Sequence, residues 1–235
     1  GASMVEAGLL AAAEASVTPA DYSLIMYTSG STADPKGVLH THGSTVNRTY
    51  RVRGTRRLMT EDVVQIVGPL CWAGRFLSML LSLDVGATLV CPVTPKLDDA
   101  VDTMIRERPT FVSAQEVLLR EMRQHPRVVA GEADVTLVAL LELRDDAGRL
   151  LQPEQTSRGL GMTETVGPHS YEIGGFNPPD KPGAFGRAAG DIERRIVDPD
   201  SGETLGPNQV GELLLRGPHM MDGFYKKERW EVFDA

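Results

Sequence analysis

A run of hydroxyl side chains is the part of this sequence that most directly suggests chemistry. Thr28, Ser29, Ser31 and Thr32 flank Gly30, and Asp34, Pro35, Lys36 and Gly37 follow. Hydroxyls and free backbone amides around a glycine can form a nest for phosphate oxygens, and a lysine a few residues on adds a mobile positive charge. The pattern differs from a Walker A loop, whose lysine stands at a helix N-terminus. Ser, Thr, Gly, Asp and Pro are also ordinary turn residues, so a polar hairpin loop is the competing reading. The hydroxyls ahead of Pro35-Lys36-Gly37 are more numerous than a turn requires. His40 and His42, two apart, would share one face of a strand. The remaining histidines, His125, His169 and His219, stand too far along the chain to complete a metal site by spacing.

The elements needed to position that loop are readable around it. Ser23–Tyr27 and Gly37–Thr41 are short apolar runs suited to strands, with the polar loop between them. Ser44 or Thr45 is expected to cap a helix running toward Arg57. Next come a strand at Val63–Val67, a helix at Phe76–Leu83, a strand at Ala87–Cys91 and an amphipathic helix at Leu97–Arg106. A strand at Phe111–Ser113, a helix at Glu116–Arg123 and a strand at Val135–Leu140 complete this half. Strands alternating with helices of about ten residues predict an α/β fold with a helix-covered, mostly parallel sheet. From Gly159 onward short strands and Gly/Pro turns predict a small β-rich lobe, with strands at Glu193–Val197 and Glu212–Leu215 and a turn at Asp198–Gly202. The organisation read from this is a lead-in at 1–22, whose Gly1-Ala2-Ser3-Met4 has the look of an expression scar, an α/β subdomain at 23–158 and the β-rich lobe at 159–235.

Composition narrows the partners. Of 235 residues, 24 are Lys or Arg and 32 Asp or Glu, a formal charge of −8. With no basic run to track a phosphate backbone, nucleic acid is not an expected partner. No stretch approaches the roughly 20 apolar residues of a membrane span, and two cysteines, Cys71 and Cys91, suit a reducing, cytoplasmic setting.

The segment TSGSTADPKGV, from Thr28 to Val38, resembles the phosphate-loop signature of the AMP-forming adenylate ligases, the superfamily of acyl-CoA synthetases, firefly luciferase and nonribosomal peptide adenylation domains. Gly161-Met162-Thr163-Glu164-Thr165 looks like that family's second nucleotide motif. Gly211-Glu212-Leu213-Leu214-Leu215-Arg216-Gly217, with Gly223-Phe224-Tyr225, looks like its later strand-and-turn motif. The resemblance implies ATP, Mg²⁺ and CoA as cosubstrates and cofactor. It implies that Thr28, Ser29, Gly30, Ser31, Thr32, Lys36 and Gly37 hold the β- and γ-phosphates, that Gly161, Met162 and Thr163 meet the nucleotide with Thr163 on the α-phosphate, and that Glu164 holds the metal. Such a role suits a carboxylate, since Mg²⁺ in nucleotide sites takes one or two of them beside phosphate oxygens. Apart from the resemblance, Thr163-Glu164 reads equally as a cap or a solvated loop.

Trp72 stands where many relatives carry a histidine beside the acyl pocket. With Gly74, Gly161, Met162 and His169 it would border the acid, its flat wall suiting an apolar chain; a core Trp is the alternative. Departures are Ala33 and Arg75 in glycine positions, Leu160 in place of the aromatic that stacks on adenine, and no Gly/Ala-rich turn between Val138 and Gly159. The expected activity is ATP-dependent conversion of a fatty or other apolar carboxylic acid to acyl-AMP and then to a CoA thioester. Two alternatives are a carrier-protein-loading adenylation domain, for which Asp84 is the nearest acid to Trp72, and a non-catalytic nucleotide- or acyl-binding fragment. The family's Lys-bearing C-terminal domain is missing from the 235 residues, which predicts weak activity for them alone; a homodimer is left open.

Overall fold

The computed structural model describes residues 7–28, 34–56, 58–133, 159–171, 181 and 184–233. Ser29–Ala33 of the hydroxyl-rich loop and the strand expected at Val135–Leu140 lie outside the described residues.

The centre of the helical half is strand β3, Val63–Ile66, and its side-chain alternation explains the layers. Val64 and Ile66 face one way, and Gln65 with the following Val67 the other. β4, Thr88–Val90, and β5, Phe111–Ser113, pair parallel to β3 on either edge, in the order β4-β3-β5. Parallel neighbours need crossovers, and the two crossovers are helices. α3, Ala73–Val85, buries Leu77 and Leu81 with Val64 and Ile66, joined by Val52 of helix α2, His42–Arg56. α4, Leu97–Glu107, buries Ala100, Val101 and Met104 on the opposite face with Val67 and Val112, and α5, Glu116–Gln124, adds Leu119 and Met122. Gln65, a polar side chain on that face, is fully buried and donates to the Ala100 carbonyl at 2.8 Å. A helix-covered parallel sheet is thus present as predicted.

A lead helix α1, Ala7–Ser16, is solvent-exposed. Around the parallel sheet are small antiparallel ones. β1, Tyr22–Thr28, and β2, Lys36–Thr41, form a hairpin, and β11, Gly223–Phe224, adds to the free edge of β2. β6, Leu160–Met162, β7, Gly167–Tyr171, and β8, Arg187–Ala188, form a second sheet, and β9, Glu193–Val197, with β10, Glu212–Arg216, a two-stranded ribbon. A short helix α6, Pro126–Val129, follows α5.

Two helix starts differ from expectation. α2 begins at His42, because the Thr41 hydroxyl accepts from the Ser44 amide at 3.1 Å and is the cap; Ser44 and Thr45 lie inside the helix and bond back to the Thr41 carbonyl. α3 begins at Ala73, a turn before Phe76, with Trp72 at its cap position and no side-chain acceptor there.

Leu77 is fully buried where α3 meets β3. Leu77→Ala should therefore cost roughly 2–5 kcal/mol, the usual range for a large core truncation, read as a lowered midpoint in urea unfolding.

Candidate functional site

β2 is the strand from which the candidate site is built. Its pairing with β1 sets Thr28 opposite Lys36 and Tyr27 opposite Gly37, so the two ends of the hydroxyl-rich loop are fixed across one antiparallel rung. A Cβ at Gly37 would come within 3.0 Å of Ile25, 3.1 Å of Tyr225 and 3.3 Å of Tyr27, so the tyrosines crowd the strand and a larger residue would have to push them aside.

The other edge of β2 carries the third motif. Gly223 and Phe224 pair with Leu39 and Val38, the Asp222 amide donates to the Leu39 carbonyl at 2.9 Å, and the Tyr225 amide donates to Gly37 at 2.7 Å. The second motif is attached from two directions. His40 Nε2 donates to the Thr163 carbonyl at 2.8 Å, and the Met221 amide donates to the Glu164 carbonyl at 2.8 Å. A carbonyl can only accept, so the Nε2 of His40 carries the proton. The ring is fully buried, and burial lowers its pKa against the opposing pull of the Thr163 carbonyl. Lys36, Thr163, Glu164 and Phe224 therefore belong to one connected unit. Along β2, Lys36 stands four residues, about 13 Å, from the His40–Thr163 bond.

The second motif is tightly wound. A Cβ on Gly161 would lie 2.5 Å from the Gly167 carbonyl atoms, so β6 can approach β7 here only without a side chain. Thr163–Thr165 make a single 3₁₀ turn whose Thr165 hydroxyl donates to the Gly167 carbonyl at 2.6 Å. Val166 closes it at φ 48°, a left-handed conformation that is costly for a β-branched residue. The Thr163 and Glu164 side chains are half-buried, and neither the Thr163 hydroxyl nor the Glu164 carboxylate has a hydrogen-bonding or ion-pair partner among the described residues. A lone, partly sheltered carboxylate fits one ligand position of Mg²⁺, which completes its shell with phosphate oxygens and water. Among the described residues no three His, Cys, Asp or Glu side chains group as a metal site.

Beside Lys36 lies a cavity of about 580 Å³, walled by Tyr27, Phe224 and Tyr225 and by Lys36, Lys226 and Lys227. The Lys36 ammonium sits 5.3 Å from the Phe224 ring centroid. Leu160 and Met162 are partly exposed.

α3 brings the predicted acyl-pocket residues to the same region, since a Cβ on Gly167 would lie 2.9 Å from Leu77 Cδ2. Trp72 is half-exposed with the Arg75 guanidinium 4.9 Å from its ring centroid. Arg75 Nε donates to the Val67 carbonyl at 2.6 Å, so the arginine in a glycine position turns inward and backs the tryptophan. Gly74 lies in the first turn of α3. Asp84, near the other end, pairs with Arg53 at 3.4 Å.

His169, expected beside the acid, instead turns into the interior. It is fully buried in a polar cluster beneath β7, its Nδ1 2.9 Å from the Ser170 hydroxyl, which also accepts from Arg194 at 2.7 Å. The cluster continues to Arg48, Asp191 and His219. His219 Nδ1 lies 3.2 Å from Asp191, and Arg51 is 3.7 Å from the same carboxylate. Arg48 and His219 are fully buried. Burial, then the Arg48 charge, push His219 down to about 4 despite Asp191. Burial also lowers Arg48, opposed by Tyr171 and Asp191. His40, the cluster and the Tyr27–Tyr225 wall were not read as site features from sequence. A histidine in an otherwise apolar strand was the one available signal for His40, and the rest depend on long-range pairing.

An α/β domain whose phosphate-type hairpin, Thr-Glu turn and Gly-Phe-Tyr turn meet on one strand defines a class of nucleotide-handling proteins. The family profile described as "AMP-binding enzyme" matches residues 3–225, and the chain belongs to that family. It is 31% identical over 227 residues to 4-coumarate–CoA ligase 3 of Oryza sativa subsp. japonica, covering 90% of this chain and 41% of that protein. It is 29% identical over 224 residues to indoleacetate–CoA ligase of Aromatoleum aromaticum, covering 89% and 42%. Among solved structures, ATP-bound MatB from Rhodopseudomonas palustris superposes with a TM-score of 0.68 at 21% identity, over 89% of this chain and 42% of that one, a likeness of fold. The chain spans about two fifths of the length of the curated relatives it matches.

The lowered histidines tie stability to acid. Between pH 6.5 and about 4 the unfolded chain takes up a proton that buried His219 refuses, and burial lowers His40 and His169 in the same direction. Stability should hold above pH 6.5 and fall as the pH drops below it, each ring contributing at most about 1.4 kcal/mol per pH unit. Urea midpoints measured from pH 7 to 4.5 should show this slope, and His219→Gln should flatten it.

Proposed function

We propose that this chain supplies the nucleotide- and acid-binding part of an AMP-forming ligase that activates a carboxylic acid and transfers it to CoA. The observation that carries the reading is the convergence on β2: its first rung holds Thr28 and Lys36, its far edge the Gly223–Phe224 turn, and His40 the Thr163–Glu164 turn. A nucleotide lying along this strand would meet Lys36 with its outer phosphates and the Thr163 hydroxyl with its α-phosphate.

In that pose Thr28, Ser29, Gly30, Ser31, Thr32, Lys36 and Gly37 bind the departing pyrophosphate, and Gly161 and Met162 border the nucleotide and the acid. The acid's carboxylate oxygen forms a bond to the α-phosphorus as the bond to the β-phosphate bridging oxygen breaks, giving acyl-AMP and pyrophosphate. A CoA thiol then displaces AMP and loses its proton, giving the thioester. Mg²⁺ held at Glu164 would supply positive charge to the phosphates. Preorganised donors around charge that moves between phosphates account for most of the catalysis expected of such a site. An apolar or aromatic acid is supported by the half-exposed Trp72 wall and by Asp84, which stands near the far end of α3 from Trp72 and is paired with Arg53. This argues against the carrier-protein alternative for amino acids. CoA as acceptor is supported by the family membership and by the two ligases named above.

Calorimetric titration of the chain with Mg·ATP and with AMP tests the nucleotide reading. Lys36→Ala removes a charge-assisted bond worth about 1.5–3 kcal/mol, so Mg·ATP should bind about ten- to a hundredfold more weakly, with AMP little changed. Equal ATP affinity in the variant sinks the role given to Lys36. Acid-dependent exchange of labelled pyrophosphate into ATP by the full-length protein, compared for cinnamic, arylacetic and long-chain fatty acids, then ranks the substrates. Binding without exchange for any acid favours a non-catalytic module.

A further inference from the structure

The cavity beside Lys36 contains charged groups that the reaction above does not use. Three lysines face it, Lys36, Lys226 and Lys227, against two carboxylates, Asp34 and Glu231. Glu231 is already engaged, accepting from the Glu228 amide at 2.7 Å and pairing with Lys227 at 3.4 Å. Among the described residues Lys36 and Lys226 have no carboxylate partner. Each is instead held over an aromatic face, Lys36 above Phe224 and Lys226 above Tyr225, both 5.3 Å from the ring centroid. A ring face orients an ammonium group without neutralising it, so the charge stays available to an anion.

The backbone adds a second, independent sign. Lys226 lies at φ 64°, one of four non-glycine residues in left-handed conformation among the described residues. It is the third residue of a turn closed by the Lys227 amide donating to the Phe224 carbonyl at 3.0 Å, a place where positive φ ordinarily selects glycine or asparagine. Such strain, of order 1–3 kcal/mol, persists where the surroundings and a role over-determine it. The neighbouring residue is pinned, since the Tyr225 amide donates to Gly37 and its Cβ packs on that glycine. The turn therefore presents Lys226 from a fixed base to the cavity that Tyr27 also lines.

We propose that this cavity is a diphosphate-binding subsite in which Lys226, held over Tyr225, works with Lys36 between the Tyr27 and Tyr225 walls. The subsite is lined by the Asp34–Gly37 end of the hydroxyl-rich loop and by the Phe224–Lys227 turn, and Lys226 is what it adds to the groups already assigned. It deepens the ligase reading, on which it rests for the place of Lys36. The diphosphate has two sources of the same chemistry: inorganic pyrophosphate leaving the nucleotide, or the diphosphate of CoA, whose base the tyrosine faces can stack against.

The test is calorimetric titration of the chain with inorganic pyrophosphate, with CoA and, separately, with AMP. Lys226→Asn removes the charge and keeps a residue that tolerates positive φ; Lys226→Arg restores the charge. The proposal expects wild type to bind pyrophosphate or CoA, the Asn variant to bind that probe about tenfold more weakly, the Arg variant to recover most of the loss, and AMP binding to stay the same. The probe that loses affinity identifies the source. Neither probe binding to wild type, or the Asn variant matching wild type for both, overturns the subsite. Failure of AMP and ATP to bind while pyrophosphate binds through Lys226 would instead remove the ligase reading and leave the subsite standing.

Discussion

One buried hydrogen bond sets the geometry of the candidate site: the His40 imidazole donating to the Thr163 carbonyl. Thr163 is 123 residues from His40, and the turn it belongs to contributes only a three-residue strand and a single 3₁₀ turn of its own. So short an element cannot hold its position by local hydrogen bonds. It is placed by the strand next to it. A neutral imidazole inside a protein is costly unless its N–H finds an acceptor, and an orphaned carbonyl is costly too, so the two groups constrain each other. The Met221 amide on Glu164 and the β11 rungs on β2 close the remaining freedom. Three segments distant in sequence are thereby tied together by main-chain bonds, with few side chains involved.

The parallel sheet supports this unit from behind. Helices cover both of its faces, so its strands can be short and apolar, and α3 extends from that core to touch the Thr-Glu turn through Leu77 and Gly167. The same helix carries Trp72 at its leading end. The wall expected to face the acid and the turn expected to face the nucleotide are thus set by one rigid element, which is the precision an oriented displacement needs.

Most of the helical half was legible in the sequence. Period-2 and period-3.6 patterns located β3, α4, β5 and α5 to within a residue at either end, because each buries one clear face. The cap of α2 falls three residues before the earlier of the two expected, since Thr41, Ser44 and Thr45 are all competent caps and only the strand before them decides which one is used. For the site, hydroxyls, glycines and a lysine marked the loop, and a threonine and a glutamate marked the turn. What could not be read was adjacency: that Gly37 is pinched between Tyr27 and Tyr225, that an apparently spare histidine is the tether, and that His169 points into a charged interior. Each is a contact between residues far apart in the chain, and neither periodicity nor composition carries that information.

The cluster of Arg48, Asp191 and His219 has a consequence for how the molecule assembles. Arg48 belongs to an early helix, whereas its counter-charge Asp191 and the covering ring of His219 arrive more than a hundred residues later. Apolar surfaces can slide past one another at little cost, but a guanidinium sealed from water tolerates no such slippage. Sealing Arg48 therefore ties α2 to the strand-rich tail in one register, since a shift that moved Asp191 away would leave a buried charge uncompensated.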